Sequence, residues 1–151
     1  ALIKKYPEKK AVFEKNTAAY LEKLTALDKE YQAAFAGAKN RTFVTQHAAF
    51  GYLAKQYDLT QEPIAGISPD QEPSPSRLAE LKKYIKTNNV SVIYFEASAS
   101  TKVAKTLADE TGVELAVLNP LESLTQKEQE AGENYVSVMK ENLAALQKSI
   151  H

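Results

Sequence analysis

Imidazole and carboxylate are the metal- and proton-binding groups this chain can gather in one place, because it contains two histidines and no cysteine. His151 is the last residue and reads as a cloning remnant or a frayed end, so imidazole chemistry rests on His47. That residue closes the β-branched and aromatic run Phe43-Val44-Thr45-Gln46. Asp70 or Glu72, Glu96 and Glu122 follow other stretches of strand character, 23 to 75 positions from His47. If the strands are parallel, the residues just past each of them share one sheet edge, and ligands bind in the crevice outside that edge. One imidazole and several carboxylates there can hold a divalent metal, since both are normal zinc ligands at about 2.0 to 2.2 Å. A plainer reading stands beside it: each acid caps a helix or sits in solvent, and His47 is a satisfied structural residue. Residue types and spacing leave both readings open.

Alternating elements must position these groups. From Glu8 to Ala38 one helical pattern carries Phe13, Tyr20, Leu24, Leu27, Tyr31 and Ala34 on a single stripe, with Pro7 in the first turn and Gly37 at the end. Such a helix runs roughly 45 Å at 1.5 Å per residue, so part of it overhangs the core or packs on something this chain lacks. Arg41 to Gln46 then reads as strand, and Ala48 to Tyr57 as helix. Thr60 to Ile67 is a second strand, weakened by Pro63 and Gly66. Ser74-Pro75 caps a helix that buries Leu78, Leu81 and Ile85. Val90 to Phe95 is the apolar run of a strand buried on both faces. Ser100 to Thr111 is helix, stopped by Gly112, and Glu114 to Leu118 is the fourth strand. Thr125-Gln126-Lys127-Glu128 has the form of a capping box, opening a helix with Val136, Met139, Leu143, Leu146 and Ile150 on one side. Strands alternating with helices imply right-handed crossovers, hence an α/β fold with a four-stranded parallel sheet flanked by helices and preceded by one long helix.

The totals narrow the function. A chain of 151 residues makes one domain with one core. Acidic and basic residues balance at 19 each, without a basic cluster, which disfavours nucleic acid and anionic membranes as partners. No run of about 18 apolar residues spans a bilayer, and no signal-peptide pattern opens the chain. It begins Ala-Leu-Ile-Lys-Lys, which reads as a mature product or an excised piece. Glycine-rich phosphate loops, the dinucleotide fingerprint and the nucleophile elbow are all absent.

Three runs carry a resemblance. Phe43-Val44-Thr45-Gln46-His47-Ala48-Ala49-Phe50, then Ile64 to Ser74, then Leu118-Asn119-Pro120-Leu121-Glu122-Ser123-Leu124-Thr125 resemble the zinc-binding lipoproteins of bacterial metal ABC importers, most closely those of the Gram-positive adhesion-competence type. The resemblance covers essentially the whole chain. It implies half of a two-lobed receptor: two α/β lobes joined by one long rigid helix, with a single metal in the cleft and half of the ligands from each lobe. On that pattern residues 1–40 are part of the interlobe helix and 41–151 the carboxy-terminal lobe. His47 is the third ligand and Glu122 the fourth, while two histidines of the amino-terminal lobe have no counterpart here. Glu96 and Glu72 read as supports rather than ligands, orienting His47 or fixing the loop edge, with a plain helix cap as the alternative for each. The resemblance further implies an extracytoplasmic location, a lipid tether in the full-length parent, and a permease in the membrane as partner. A histidine at position 47 favours zinc over manganese, which prefers harder oxygen-rich sets, although weak manganese binding is compatible with such a site.

Two other classes compete. An enzyme would use His47 as general base with Glu122 or Glu96 as partner, yet no nucleophile or cofactor motif accompanies it. A surface adhesin would show an exposed apolar patch, which in this chain can equally be the face that meets a missing lobe. With half of its ligands, the isolated lobe is expected to bind zinc weakly or not at all, and to fold without it.

Overall fold

The computed structural model describes residues 1–68, 71–97 and 100–151. Asp70, one of the candidate carboxylates, lies outside them. The chain opens with a short helix α1 (Leu2–Lys5) and a 3₁₀ turn over Pro7–Lys9, then enters α2 (Lys10–Phe35). Thereafter strand and helix alternate: β1 (Thr42–Thr45), α3 (Gly51–Gln56), β2 (Thr60–Pro63), α4 (Pro75–Thr87), β3 (Val92–Phe95), α5 (Lys102–Thr111), β4 (Glu114–Val117), α6 (Gln126–Glu130) and α7 (Tyr135–Leu146). The four strands form one parallel sheet, as the alternation predicts, and their order is β2-β1-β3-β4.

Period-two alternation along the strands sorts the core into two layers. Phe43, Val92 and Tyr94 face a cluster built from α2, α3 and α7, including Tyr31, Phe35, Phe50, Leu143 and Leu146. Val44 and Ile93 face the other way, onto Leu81 and Ile85 of α4 and Ala104 and Leu107 of α5. Helices thus cover both faces, the condition under which an all-parallel sheet is stable.

The long helix has two regimes. Its last turns are core: Leu27, Tyr31 and Phe35 are buried, Tyr31 stacks on Tyr57 with ring centres 5.0 Å apart, and its hydroxyl donates to the Met139 carbonyl at 2.7 Å. Farther back, Val12, Tyr20 and Leu21 are exposed, so the amino-terminal part of α2 projects past the lobe. Helical overhang is what the excess length predicts.

Several boundaries differ from the sequence reading. The helix expected from Ala48 begins only at Gly51, because the chain first turns back on itself, with the Ala49 amide donating to the His47 carbonyl at 3.0 Å. Strand β2 ends at Pro63, short of the expected Ile67, although the Ile64 and Ala65 amides still donate to the Thr45 and Gln46 carbonyls at 2.8 and 2.9 Å. The capping box at Thr125 and Glu128 is present, but it opens a helix of 5 residues. Gly132, at φ 77°, breaks the run, and Asn134 with Ser137 forms a second capping box that starts α7. At the end of the chain, His151 is not frayed at the main chain: its carbonyl accepts from the amides of Lys39 and Asn40 at 2.9 and 3.0 Å.

Candidate functional site

Strand β1 is the switch point of the sheet, with β2 on one side and β3 on the other, reached by crossovers on opposite faces. The crevice beyond its carboxyl end is where such folds bind ligands. His47 stands there, two residues past β1, and Glu96 immediately follows β3.

The backbone of His47 is fixed from three directions. Its carbonyl accepts from the Thr45 hydroxyl at 2.8 Å, from the Gln61 side-chain amide at 2.9 Å and from the Ala49 amide. Gln61, on β2, also donates to the Thr45 hydroxyl at 2.7 Å and accepts from the Phe50 amide at 3.2 Å. A neighbouring glutamine, Gln46, spans the switch point: its carbonyl oxygen accepts from the Glu96 amide at 3.2 Å and its amide donates to the Ser100 carbonyl at 2.9 Å. Neither glutamine was singled out from the sequence. The available signal was a polar amide inside each of two strand-like runs.

The His47 side chain is 2% exposed and lies between two carboxylates. Its Nδ1 is hydrogen-bonded to the carboxylate of Glu96, itself 4% exposed. Its Nε2 lies 3.3 Å from Oε1 of Glu122, which reaches in from the loop after β4 with a side chain 63% exposed. Burial pushes the Glu96 carboxyl above the usual carboxylate range. The charge and hydrogen bond of His47 pull it back, and the charge of Glu122 adds to the rise. A neutral imidazole carries one N–H, so it can donate to one carboxylate only. With Nδ1–H given to Glu96, the lone pair of Nε2 points at a carboxylate oxygen, and a proton or a metal cation between them completes the arrangement.

The spacing suits a metal. Two ligands, each about 2.0 to 2.1 Å from a tetrahedral ion, stand about 3.3 Å apart. Among the described residues, however, no three His, Asp or Glu side chains converge on one point as a ligand set, since Glu96 occupies the opposite ring nitrogen. The fold therefore brings His47, Glu96 and Glu122 together as a donor pair backed by a carboxylate. It does not bring Glu72 to them. That residue is exposed and lines a groove with Gln46, Ala65 and Lys102, with no hydrogen bond from its side chain among the described residues.

The loop carrying Glu122 is itself hydrogen-bonded. Asn119 accepts from the Leu121 amide at 2.8 Å and donates to Glu128 Oε1 at 3.0 Å, and Leu121 sits at φ 60°. Asn142, buried in α7, accepts from the Asn119 amide at 2.9 Å and donates to the Asn119 carbonyl at 2.7 Å.

The histidine and carboxylate paired at the switch point thus sit on a parallel α/β lobe, and the chain belongs to the family described as zinc-uptake complex component A, periplasmic, which matches residues 1–149. Among its relatives is the zinc-binding lipoprotein AdcA of Streptococcus pneumoniae, 58% identical over 144 residues, which cover 95% of this chain and 29% of the relative. The Zn(II)-bound ZnuA-like domain of Streptococcus pneumoniae AdcA superposes with a TM-score of 0.83 at 57% identity, over 98% of this chain and 55% of that one. The laminin-binding protein Lmb of Streptococcus agalactiae, described as bifunctional with adhesin and metal transporting activity, superposes with a TM-score of 0.89 at 36% identity, over 98% and 56%. The chain thus spans about 29% of the length of that lipoprotein relative.

Proposed function

We propose that this chain is the carboxy-terminal lobe, with part of the connecting helix, of an extracytoplasmic zinc receptor that serves an ABC importer. The parent is tethered to the membrane as a lipoprotein and hands its ion to a permease without chemical turnover. Residues 1–40 contribute part of the interlobe helix and 41–151 the lobe. His47 and Glu122 supply half of the ligands to the cargo ion, and the missing amino-terminal lobe supplies the rest. Glu96 holds Nδ1–H and so aims Nε2 at the metal, the role a carboxylate behind a ligating histidine commonly plays.

The observation that carries this reading is the 3.3 Å approach of His47 Nε2 and Glu122 Oε1, with the other ring nitrogen already engaged by Glu96. The relatives' printed association with zinc supports the choice of ion. An imidazole at this position favours zinc, with manganese held more weakly. Tyr52, 94% exposed in the first turn of α3, and Ile67, 89% exposed beyond β2, stand on the same edge and suit coverage by another lobe. The overhanging half of α2 fits the same picture.

The test is a zinc titration of the isolated chain, with and without thermal melting, beside the full-length receptor. The isolated chain should bind zinc far more weakly than the receptor and melt within a few degrees of its metal-free value. Tight binding by the isolated chain, or a melting point that depends strongly on zinc, would contradict the half-site reading.

A further inference from the structure

We infer that Asn142 of α7 is a positioning residue for the metal site, setting where Glu122 stands by gripping both main-chain polar groups of Asn119; this rests on the reading of Glu122 as a ligand. Glu122 cannot place itself. Its carboxylate is largely exposed, and its one hydrogen-bond partner among the described residues is His47. Its position is inherited from the backbone that precedes it.

That backbone is held by a chain of amides. Asn142 is 3% exposed and shares its helix with the buried Val138, Leu143 and Leu146. A side-chain amide in such surroundings must find partners for its oxygen and its nitrogen. Both are found on one residue: Oδ1 accepts from the Asn119 amide and Nδ2 donates to the Asn119 carbonyl, at 2.9 and 2.7 Å. Asn119 passes the constraint on. Its Oδ1 accepts from the Leu121 amide, fixing a leucine in the left-handed region that its Cβ disfavours, and Glu122 is the next residue. Its Nδ2 donates to Glu128, whose other oxygen takes the Thr125 amide at 2.6 Å and the Thr125 hydroxyl at 2.7 Å. Residues 119 to 128 therefore close into a hydrogen-bonded ring that presents Glu122, and Asn142 fastens that ring to the core.

The experiment uses the full-length receptor that carries this chain, with zinc as the probe in a competitive titration. The variants are Asn142→Leu, Asn142→Asp, Asn119→Ala, Glu122→Gln and the double variants with Glu122→Gln. Asn142→Asp keeps an acceptor for the Asn119 amide but sets a carboxylate oxygen against the Asn119 carbonyl in place of the donor, and Asn119→Ala breaks the next link without touching α7, so the inference does not depend on either Asn142 variant folding. Positioning predicts about a tenfold weaker affinity for each Asn variant in the parent background, within the range seen when partners of metal ligands are removed. In the Glu122→Gln background the same substitutions should have no further effect. The cobalt-substituted receptor should show Asn142→Asp shifting its absorption toward that of Glu122→Gln. Equal losses in both backgrounds, or no loss, would overturn the inference while leaving Glu122 as a ligand. Unchanged affinity in Glu122→Gln alone would overturn the ligand reading, and this inference with it.

Discussion

Tyr31 and Tyr20 lie on the same helix, and the structure assigns them opposite energetic roles. Tyr31 is fully buried, stacked on Tyr57 at 5.0 Å, edge-on to Phe35 at 5.8 Å, and hydrogen-bonded to the Met139 carbonyl at 2.7 Å. Truncating such a ring to alanine costs about 3 to 5 kcal/mol. Loss of the hydrogen bond adds about 1 kcal/mol. Tyr31→Ala should therefore destabilise the metal-free chain by about 4 to 6 kcal/mol, much of the stability of an ordinary domain. Tyr31→Phe deletes only the hydroxyl and should cost about 1 kcal/mol, or about 2 to 4 °C in Tm for a chain of this size. Tyr20, 45% exposed on the overhanging half of α2, should tolerate alanine within about 0.5 kcal/mol. Urea unfolding followed by circular dichroism reads all three, and a shifted midpoint with unchanged slope reports stability alone. If Tyr20→Ala costs as much as Tyr31→Ala, or if Tyr31→Ala costs less than about 1 kcal/mol, the division of the helix into a core half and a projecting half is wrong.

Two pH responses follow from buried or bonded groups. Burial pushes the Tyr94 phenol up to about 12, eased by its hydrogen bond with Ser149 and reinforced by Glu114. Because the folded value lies above the ordinary 10.0, the contribution of the neutral phenol is full below that value and is lost as pH rises through about 12. An alkaline absorbance titration should show a late tyrosinate that vanishes in Tyr94→Phe; titration of this group with the exposed tyrosines would contradict its burial. Hydrogen bonds from the Thr125 side chain and amide hold Glu128 below its ordinary range. The sign is then reversed: that contribution is present above the ordinary carboxylate value and fades as pH falls through the lowered one. Hydrogen-exchange protection of the Thr125 amide, taken relative to the intrinsic rate at each pH, should fall in that acid window, and in Glu128→Gln it should be lower already at neutral pH; protection indifferent to both changes would rule the capping box out.

The layer structure was legible because two periodicities reveal it. Val92 to Phe95 is apolar on both sides and reads directly as a central parallel strand, and the excess length of the first helix announces an overhang. His47, Glu96 and Glu122 were legible as an edge cluster because parallel strands place their carboxyl ends together. The break between α6 and α7 was not, since the apolar stripe from Val136 onward looks continuous with the capping box at Thr125. The signals that outweighed it were Gly132, which takes a left-handed turn, and the Asn134 and Ser137 pair that caps a new helix. The part of Asn142 was hidden for a different reason. Its partners are main-chain groups 23 positions away, and hydrogen bonding between a helix side chain and a distant loop leaves no periodic trace. Gln61 was hidden likewise, because its use depends on β2 lying beside β1 and an order of β2-β1-β3-β4 cannot be read from spacing.

The central claim, that His47 and Glu122 hold the cargo ion, is tested most directly by competitive zinc and manganese titration of the full-length receptor beside its His47→Ala and Glu122→Ala variants. Tight zinc binding by the parent, weaker manganese binding and a sharp loss of zinc affinity in both variants would bear the account out. Zinc affinity unchanged in either variant would contradict it.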